Sequence, residues 1–378
     1  TVTLSWTAGS ETDLVRYRIY KGTSANASTL SDSAGASFTS KLVGGLNNGT
    51  TYYFRIAVVD GDGYLSGYSN EVSGTPIYAG PVWYVDDDAS NSNGDGSPSL
   101  PFREIDDGIG AASTGDTVMV LPGTYDRSGD KDLTFVQYNN FNDYTVKNIV
   151  LMSRDGAATT ILDGEGSRAF NLQSYSYGGV SYNNDTTLQI IGFTIKGSNG
   201  GDENNVGSLI YVYGQNVGQS VEGQWVNTVY KQGVTFKNCI IADTDTDRGN
   251  NYASGIVWLG YADARFIDCI IRDNTLTGNN SQGTIYIDQY KSNVVLNRCK
   301  IVRNTVIAES GNAYGGALST YSQDHTVKII NCIIANNKAR GEYQWGDVNG
   351  GGVYFKGNGK YTIINSTITG NIVENTAS

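Results

Sequence analysis

The chain has 378 residues, a formal net charge of −11, 48 Gly and only 5 Pro. This length is enough for two hydrophobic cores, and the acidity argues against nucleic acid as the main partner. No apolar run approaches the roughly 18 residues of a membrane helix, so no membrane insertion is predicted in this part of the chain. No secretion signal opens it, and we expect any export signal to have been removed or to lie outside it.

The first 76 residues carry the pattern of a small β-sandwich. Short alternating strands are predicted around Trp6, 17–20 and 52–56, with turn residues between them. Tyr52 follows Leu46 by six residues, which is the spacing of a tyrosine corner. Residues 1–76 therefore resemble a fibronectin type III domain. A short linker, residues 77–82, follows and is stiffened by Pro81.

A short helix is predicted near the start of the second domain, residues 83–378. Phe102, Ile105, Ile109 and Ala112 recur at helical spacing and would form one apolar face. The first coil of a stacked fold leaves its core open to water and its edge open to pairing. We therefore predict that this helix covers that end as a cap.

Four cysteines mark a repeat in this second domain. Cys239, Cys269, Cys299 and Cys332 lie in similar phrases of alternating apolar residues, at spacings of 30, 30 and 33 residues. A further copy has Ser366 in the same slot, so the slot requires a small inward side chain and no sulfur chemistry. A fixed period of this length, with β-branched strands and Asn, Asp and Gly turns, predicts a stacked β-solenoid with free thiols in its core.

Asparagine recurs five residues after the cysteine slot. The positions are Asn274, Asn304, Asn337 and Asn371. Asparagine tolerates the left-handed backbone of a tight bend, and its amide can bond to the same amide one coil away. These residues are therefore predicted to form a ladder along one corner of the solenoid.

These phrases resemble the repeats of right-handed parallel β-helices of the broad pectate-lyase-like group. The run 330–337 is similar to repeats of polymorphic outer-membrane proteins, and 83–125 is similar to the opening of many secreted β-helix proteins. The resemblance implies an all-β chain, with a fibronectin type III sandwich followed by a right-handed parallel β-helix and its short N-terminal capping helix. The last copy ends without a cap, so we expect further coils or another chain beyond residue 378.

An enzyme suggested by this resemblance is a calcium-dependent polysaccharide lyase, which uses Ca²⁺ to neutralise a uronate. No other cofactor is indicated. Alternate carboxylates of an extended segment would lie on one side and would hold the ion. A solvated acidic turn is the other interpretation of the same pattern. The candidate calcium ligands are Asp243, Asp245 and Asp247.

The proton-abstracting base of such a lyase would be a Lys or an Arg. The basic concentration on the repeat consists of Arg272, Lys300 and Arg303, and the strand pleat directs Lys300 outward because Cys299 points inward. Outward lysines mostly solvate a sheet face, and no catalytic motif of a named lyase family matches. His325, the single histidine, is interpreted as a solvated turn residue.

A binding surface is the alternative, and it depends on aromatic residues. One phase of the strands would place aromatics of successive coils in an outward ladder on which sugar rings stack, whereas the opposite phase would bury them. Loops add further aromatics, including Tyr175, Tyr177 and Tyr182. The candidate ligand-binding residues are Trp258, Tyr286, Phe355, Tyr343 and Trp345.

From the sequence we expect a secreted or cell-surface protein that acts in adhesion, polysaccharide binding or extracellular assembly. Its partner would be a polysaccharide or a cell-surface glycan, with self-association or further domains of the same chain at the last coil. The alternatives are a polysaccharide lyase and a subunit of an extracellular fibre. The repeat predicts the fold, but the same fold serves many activities, so the activity has to be inferred from the residues of the site.

Overall fold

A computed structural model describes residues 1–90, 94–140, 143–177, 180–197, 208–221, 224–249, 251–289 and 291–376. The chain divides into two compact units, Thr1–Ala79 and Gly80–Ser378. None of the helices among these residues has the length and apolar character needed to span a bilayer.

Two antiparallel sheets enclose the core of the first unit. One contains Val2–Ser5 and Ser40–Val43. Leu4 packs with Ile19 and Phe54 across the core, and the Tyr52 hydroxyl accepts a hydrogen bond from the backbone N–H of Asn47 at 3.1 Å. The fibronectin type III assignment stays a prediction. The strands of the other sheet, in spatial order, are Thr29–Gly35, Arg16–Gly22, Tyr52–Val59 and Val72–Gly74.

The second unit is a right-handed parallel β-solenoid of about eight turns. Its described strands stack in four sheets, which the chain visits in the order I, II, III and IV. Sheet I contains Val82–Val85, Thr117–Val120, Val150–Ser153, Gln189–Ile191, Gln232–Lys237, Ala262–Ile267, Asn293–Asn297, Thr326–Ile330 and Lys360–Ile364. Sheet II contains Gly123–Tyr125, Thr160–Asp163, Thr194–Lys196, Ile240–Ala242, Ile270–Arg272, Lys300–Val302, Ile333–Ala335 and Thr367–Thr369.

The other two sheets complete each turn. Sheet III contains Asp245–Asp247, Thr275–Gly278, Thr305–Ala308, Lys338–Gly341 and Ile372–Asn375. Sheet IV contains Phe170–Gln173, Ile210–Tyr213, Val257–Gly260, Ile285–Asp288, Leu318–Thr320 and Val353–Tyr354. A further parallel pair, Ala313–Tyr314 with Val348–Asn349, lies between sheets III and IV in the chain.

Stacking of equivalent side chains forms the core of the solenoid. Phe236 lies on Phe266 with ring centroids 5.2 Å apart and ring planes 7° apart. The four cysteines are buried in the slot after each sheet I strand, and all four thiols are free. The prediction of buried, unpaired thiols is confirmed, because the slot needs a small apolar side chain and sulfur meets that need.

The asparagine ladder is also confirmed. The Nδ2 of Asn274 donates to Oδ1 of Asn304, the Nδ2 of Asn304 to Oδ1 of Asn337, and the Nδ2 of Asn337 to Oδ1 of Asn371, each at 2.9 Å. The left-handed backbone lies one residue earlier than predicted, at Asp273 for example, where φ is 57°. The bend therefore precedes the ladder, and the asparagines follow it with their amides turned inward.

A seven-residue helix, Ile105–Ala111, packs against the first strands of sheet I. Ile105 and Ile109 are fully buried, and a side chain at Gly108 would lie 2.9 Å from both Val85 and Val118. This close approach explains why glycine stands in the middle of the helix. The role of the helix as a cap stays a prediction.

Apolar side chains are exposed in the last described turn. Ile363 and Ile368 are exposed, whereas Ile329 and Ile334, their partners one turn earlier, are fully buried. Each turn of a solenoid buries the one before it, and among the described residues no strand stacks on this last turn, so these side chains remain exposed.

Candidate functional site

Three successive turns carry β-hairpins that the repeat does not need. Each hairpin is inserted where the chain passes from the sheet IV position to sheet I, whereas in the next turn the single residue Tyr261, at φ 46°, makes that connection. Insertions on a regular scaffold are common places for function. The hairpins are Val136–Asn140 with Asp143–Val146, Tyr175–Tyr177 with Val180–Tyr182, and Gln215–Val221 with Gln224–Tyr230.

Tyrosines of the first two hairpins pack on one another. Tyr138 and Tyr144 are cross-strand partners in the first hairpin, and Tyr175 and Tyr182 are partners in the second. The Tyr144 ring stacks on that of Tyr175 at 5.0 Å and 13° and meets the rings of Tyr138 and Tyr182 at 5.4 and 5.1 Å. Cross-strand aromatic pairs stabilise hairpins, so these rings also support the insertions that carry them.

An open cleft of about 560 Å³ lies beside these rings. We call it the tyrosine cleft. Tyr138 at its rim is 61% exposed, so ring surface remains available to a ligand. The lining consists of Asp106, Thr134, Val136, Gln137, Tyr138, Asn139, Tyr144 and Tyr175.

Polar groups in the tyrosine cleft can bind hydroxyls. The Asn139 Nδ2 donates to Asp143 and Thr145 at 3.1 and 2.8 Å, which orients that amide. Burial raises the pKa of the Asp106 carboxyl, and the charges of Asp107 and Glu104 add to the effect. A cleft with ring faces, oriented amides and a carboxyl has the combination of groups that recognises sugars, whose rings offer C–H faces and hydroxyl edges.

The predicted aromatic row on sheet IV exists, but it is not exposed. Trp258 and Tyr286 face away from Val257 and Ile285 of the core, yet only 5% and 3% of their surfaces are accessible. They form a second apolar cluster together with Tyr211. The expectation of an open ladder at these two residues is wrong, because neighbouring side chains cover the outer face of the sheet.

Gly260 shows how tightly this cluster is packed. A side chain at Gly260 would lie 2.4 Å from Cη2 of Trp258. The indole therefore occupies the space that a side chain would need, and it stacks on Tyr211 at 4.7 Å and 13°. Burial, with Tyr213 nearby, raises the pKa of Tyr211 to about 12. This aromatic cluster therefore stabilises sheet IV by its packing.

Phe355 does not belong to the row. Ser319 pairs with Tyr354, so the register differs by one residue from the predicted one and Phe355 is excluded. It stacks instead on Tyr361 at 4.1 Å. Tyr343 and Trp345 lie on the segment between Lys338–Gly341 and Val348–Asn349, where both are exposed. A ligand role for these two residues stays a prediction.

The basic residues proposed for catalysis are mostly engaged in ion pairs. Arg303 holds both carboxylate oxygens of Asp273 at 2.7 and 2.8 Å, and Arg272 contacts Asp273 at 2.6 Å and Asp243 at 3.4 Å. Ion pairing at the surface is sufficient to explain why Arg272 and Arg303 are present, without a catalytic role. Lys300 is exposed on sheet II as expected, between Ile270 and Ile333 in register. Its catalytic role stays a prediction.

The three predicted calcium ligands are not brought together as one carboxylate cluster. Asp243 lies at a left-handed corner, φ 56°, and pairs with Arg272, whereas Asp245 and Asp247 flank the buried Thr246 in sheet III. Among the described residues, the carboxylate trio within 4.8 Å is Asp86, Asp87 and Asp88. The prediction of Ca²⁺ at Asp243, Asp245 and Asp247 therefore gains no geometric support.

The sequence predicts His325 to be a solvated turn residue, and this prediction is wrong. His325 is fully buried at the start of a sheet I strand, and neither ring nitrogen has a hydrogen-bond partner among the described residues. Burial lowers its pKa to about 4. A buried neutral imidazole cannot reach a substrate, so the single histidine is excluded as a base.

Reasoning from the repeat does not find the tyrosine cleft. Tyr138 and Tyr144 lie before the regular repeats, in a part of the chain where no period guides the alignment. The available signal is the density of tyrosine between 138 and 182, together with turns too long for the period. From the sequence, Tyr175 and Tyr182 are identified only as loop aromatics.

No family model and no curated protein matches the chain. Among solved structures, it is similar to the family 28 exopolygalacturonase of Yersinia enterocolitica, at 12% identity over 97% of this chain and 83% of that chain, TM-score 0.20. The GH136 lacto-N-biosidase of Eubacterium ramulus matches at 8% identity over 75% and 68%, TM-score 0.22. Pectate lyase PelI of Erwinia chrysanthemi, in complex with tetragalacturonic acid, matches at 11% over 99% and 95%, TM-score 0.18. Similarities this low identify no family, and the function has to be argued from the geometry of the site.

Proposed function

We propose that this protein is a carbohydrate-binding β-helix whose tyrosine cleft receives part of a glycan. One observation carries the proposal: the hairpins of successive turns are not required by the solenoid, yet their tyrosines converge on one open cleft. Such insertions persist where they do something other than fold. The cleft offers ring faces for sugar C–H groups and Asp106, Gln137 and Asn139 for hydroxyls.

The same surface supports binding better than cleavage by a lyase. Lys300, the remaining candidate base, extends from sheet II, whereas the tyrosine cleft forms where the sheet IV position leads to sheet I. Arg272 and Arg303 are held by Asp273. A base must lie within hydrogen-bond reach of the proton that it removes, and the described residues that line this cleft include neither a lysine nor an arginine, the bases expected of such a lyase.

We infer an extracellular setting for this activity, with the first unit as a fibronectin-type-III-like module. The two small antiparallel sheets and the Tyr52 hydroxyl bound to the Asn47 N–H support the module assignment. A binding solenoid joined to such a module suits adhesion or attachment to a glycan matrix. Localisation by fractionation of the producing cells tests this part of the proposal.

The direct test is retention of the full chain on a panel of insoluble and soluble glycans. We expect Tyr144→Ala and Tyr138→Ala to reduce affinity by about fivefold or more, because each removes a ring worth about 1 kcal/mol or more of stacking and Tyr144 also orders its neighbours. Tyr64→Ala is the matched control, since Tyr64 is an exposed tyrosine of the first unit. Equal retention of all three variants and the native chain would remove the tyrosine cleft from consideration.

The lyase alternative is tested in the same experiment. Incubation of soluble polyuronates with and without Ca²⁺, followed by absorbance of unsaturated products near ~235 nm, measures cleavage directly. We expect binding without product. Calcium-dependent product that disappears in Lys300→Ala would replace the binding proposal by a lyase.

A further inference from the structure

The tyrosine cleft contains one charged side chain among its described lining residues, the carboxyl of Asp106. Asp106 belongs to the first turn of the helix Ile105–Ala111 and is exposed, so a ligand in the cleft can reach it. Within the described part of the chain, no ion pair includes this residue. The carboxyl is therefore available to a group of the ligand.

More carboxyls lie around this position. Partial burial in the cleft, and then the charges of Asp107 and Glu104, raise the pKa of the Asp106 carboxyl. A further carboxyl, that of Asp143, accepts from the Nδ2 of Asn139 on the wall of the cleft at 3.1 Å. An acidic group of a ligand would enter beside these like charges, whereas a cationic group would reduce their repulsion.

The lysine that acts on this carboxyl is not free to bind an acidic ligand. The charge of Lys147 opposes the rise in the pKa of Asp106, but Lys147 is only 6% exposed. Its Nζ donates to the carbonyl oxygens of Ile109 and Gly110 at 2.8 and 2.6 Å. The lysine thus binds the end of the helix, and the described lining of the cleft presents negative charge.

The rings of the cleft suit the same kind of ligand. Tyr138, exposed at the rim, and Tyr144 lie 5.4 Å apart with ring planes at 61°, so their faces form a corner. The face of an aromatic ring attracts a cation and also packs against the C–H groups of a sugar. The net charge of −11 attracts cationic chains over a longer range.

We propose that the tyrosine cleft selects glycans of amino sugars with free ammonium groups, and that the Asp106 carboxylate binds one of these groups. This inference rests on the proposed function and names its ligand class. A charge-assisted hydrogen bond to the carboxylate gives the selectivity, and the tyrosine rings hold the sugar that carries the ammonium. Polyuronates are bound weakly, because their carboxylates meet no available cation among the described lining residues.

The test compares affinities of the full chain for polymers of glucosamine and of galactosamine, each in free-amine and N-acetylated form, and for polygalacturonate. We expect a free-amine polymer to bind at least about tenfold more tightly than its acetylated form and than polygalacturonate. If an acetylated polymer or polygalacturonate binds as tightly, the inference fails while glycan binding stands. If no glycan is retained, the proposed function itself fails and the inference with it. This comparison needs only the native chain, so it decides even where a variant does not fold.

Variants locate the selectivity. We expect Asp106→Asn to weaken binding of the free-amine polymer by about tenfold or more and to leave the acetylated polymer unchanged. Asp107→Asn is the matched control, with the same charge change in the same helical turn but outside the cleft lining; its effect should stay below about fivefold. Equal losses in the two variants would overturn the role of Asp106. Oligolysine supplies ammonium groups without sugars, and binding as tight as that of the free-amine polymer would overturn selection of an amino sugar.

Discussion

Replacing Asn304 by Ala tests how much the asparagine ladder contributes to stability. Asn304 is fully buried, and its Nδ2 donates to Asn337 and to the Ile271 carbonyl at 2.9 and 3.0 Å. Its Oδ1 accepts from Nδ2 and from the backbone N of Asn274 at 2.9 and 3.2 Å. The alanine leaves three groups of neighbouring residues without a partner: the Ile271 carbonyl and two N–H donors of Asn274. At about 1–3 kcal/mol each, the expected loss of unfolding free energy is about 3–9 kcal/mol.

Asn371→Ala is the matched control for this variant. Asn371 makes the equivalent contacts to the turn before it, accepting from Nδ2 and N of Asn337 and donating to the Ile334 carbonyl at 2.9 Å, but it is only partly buried. Water can replace its bonds, so the expected loss is about 1–2 kcal/mol. Urea unfolding of the full chain, followed by circular dichroism, measures both. If Asn304→Ala costs no more than Asn371→Ala, the reasoning from buried unpaired groups is refuted.

Three further predictions concern other parts of the solenoid. The pKa of His325 lies near 4 in the folded chain against 6.5 unfolded, so the free energy of unfolding decreases as pH falls from about 6.5 to 4, by at most about 3 kcal/mol. His325→Leu should remove that part of the pH dependence in urea titrations. A variant whose unfolding free energy depends on pH as steeply as that of the native chain would contradict this prediction. Gly260→Ala should destabilise by about 1–3 kcal/mol and alter Trp258 fluorescence because of the clash with the indole, whereas Gly110→Ala, which meets nothing within 4 Å in the helix, should be neutral or stabilising in the same melting assay. Lys300→Ala should change stability by less than about 0.5 kcal/mol and leave glycan retention intact; a loss of retention would place the ligand on sheet II.

The repeat is predictable because a solenoid is built from local contacts. Cys239, Cys269 and their equivalents alternate with outward residues in one phrase, and a phrase repeated every 30 residues places its copies one above another. The ladder follows from the same argument, since Asn274 and Asn304 occupy one position of that phrase. The residue that takes the left-handed bend cannot be derived in this way, because Asp, Asn and Arg all adopt it here at the position before the ladder.

The candidate site cannot be predicted from the repeat, and the structure shows why. Phe355 is misplaced from the sequence because the chain from 350 to 352 is three glycines, which give no side chain to align. The sequence leaves open which face Trp258 and Tyr286 occupy. They lie on the outer face, and whether that face is covered depends on side chains of other rows. The contacts of Tyr144 with Tyr175 join hairpins from two turns, and Arg168 meets Tyr211 across another pair of turns. Pairings of this kind depend on the assembled surface and not on the period.

The direction of the asparagine ladder has a mechanical consequence. Asn274, Asn304 and Asn337 each donate an amide N–H to the amide oxygen of the ladder asparagine in the following turn, the last bond ending at Asn371. The amide dipoles therefore point the same way and polarise one another, which strengthens each bond in the row. Turning a single amide around would set donor against donor on one side and acceptor against acceptor on the other. Each amide also binds a backbone N–H and a backbone carbonyl, as Asn304 does with Asn274 and Ile271, so the row is held in one direction. The corner thus behaves as one stiff rod that resists bending and shear between turns.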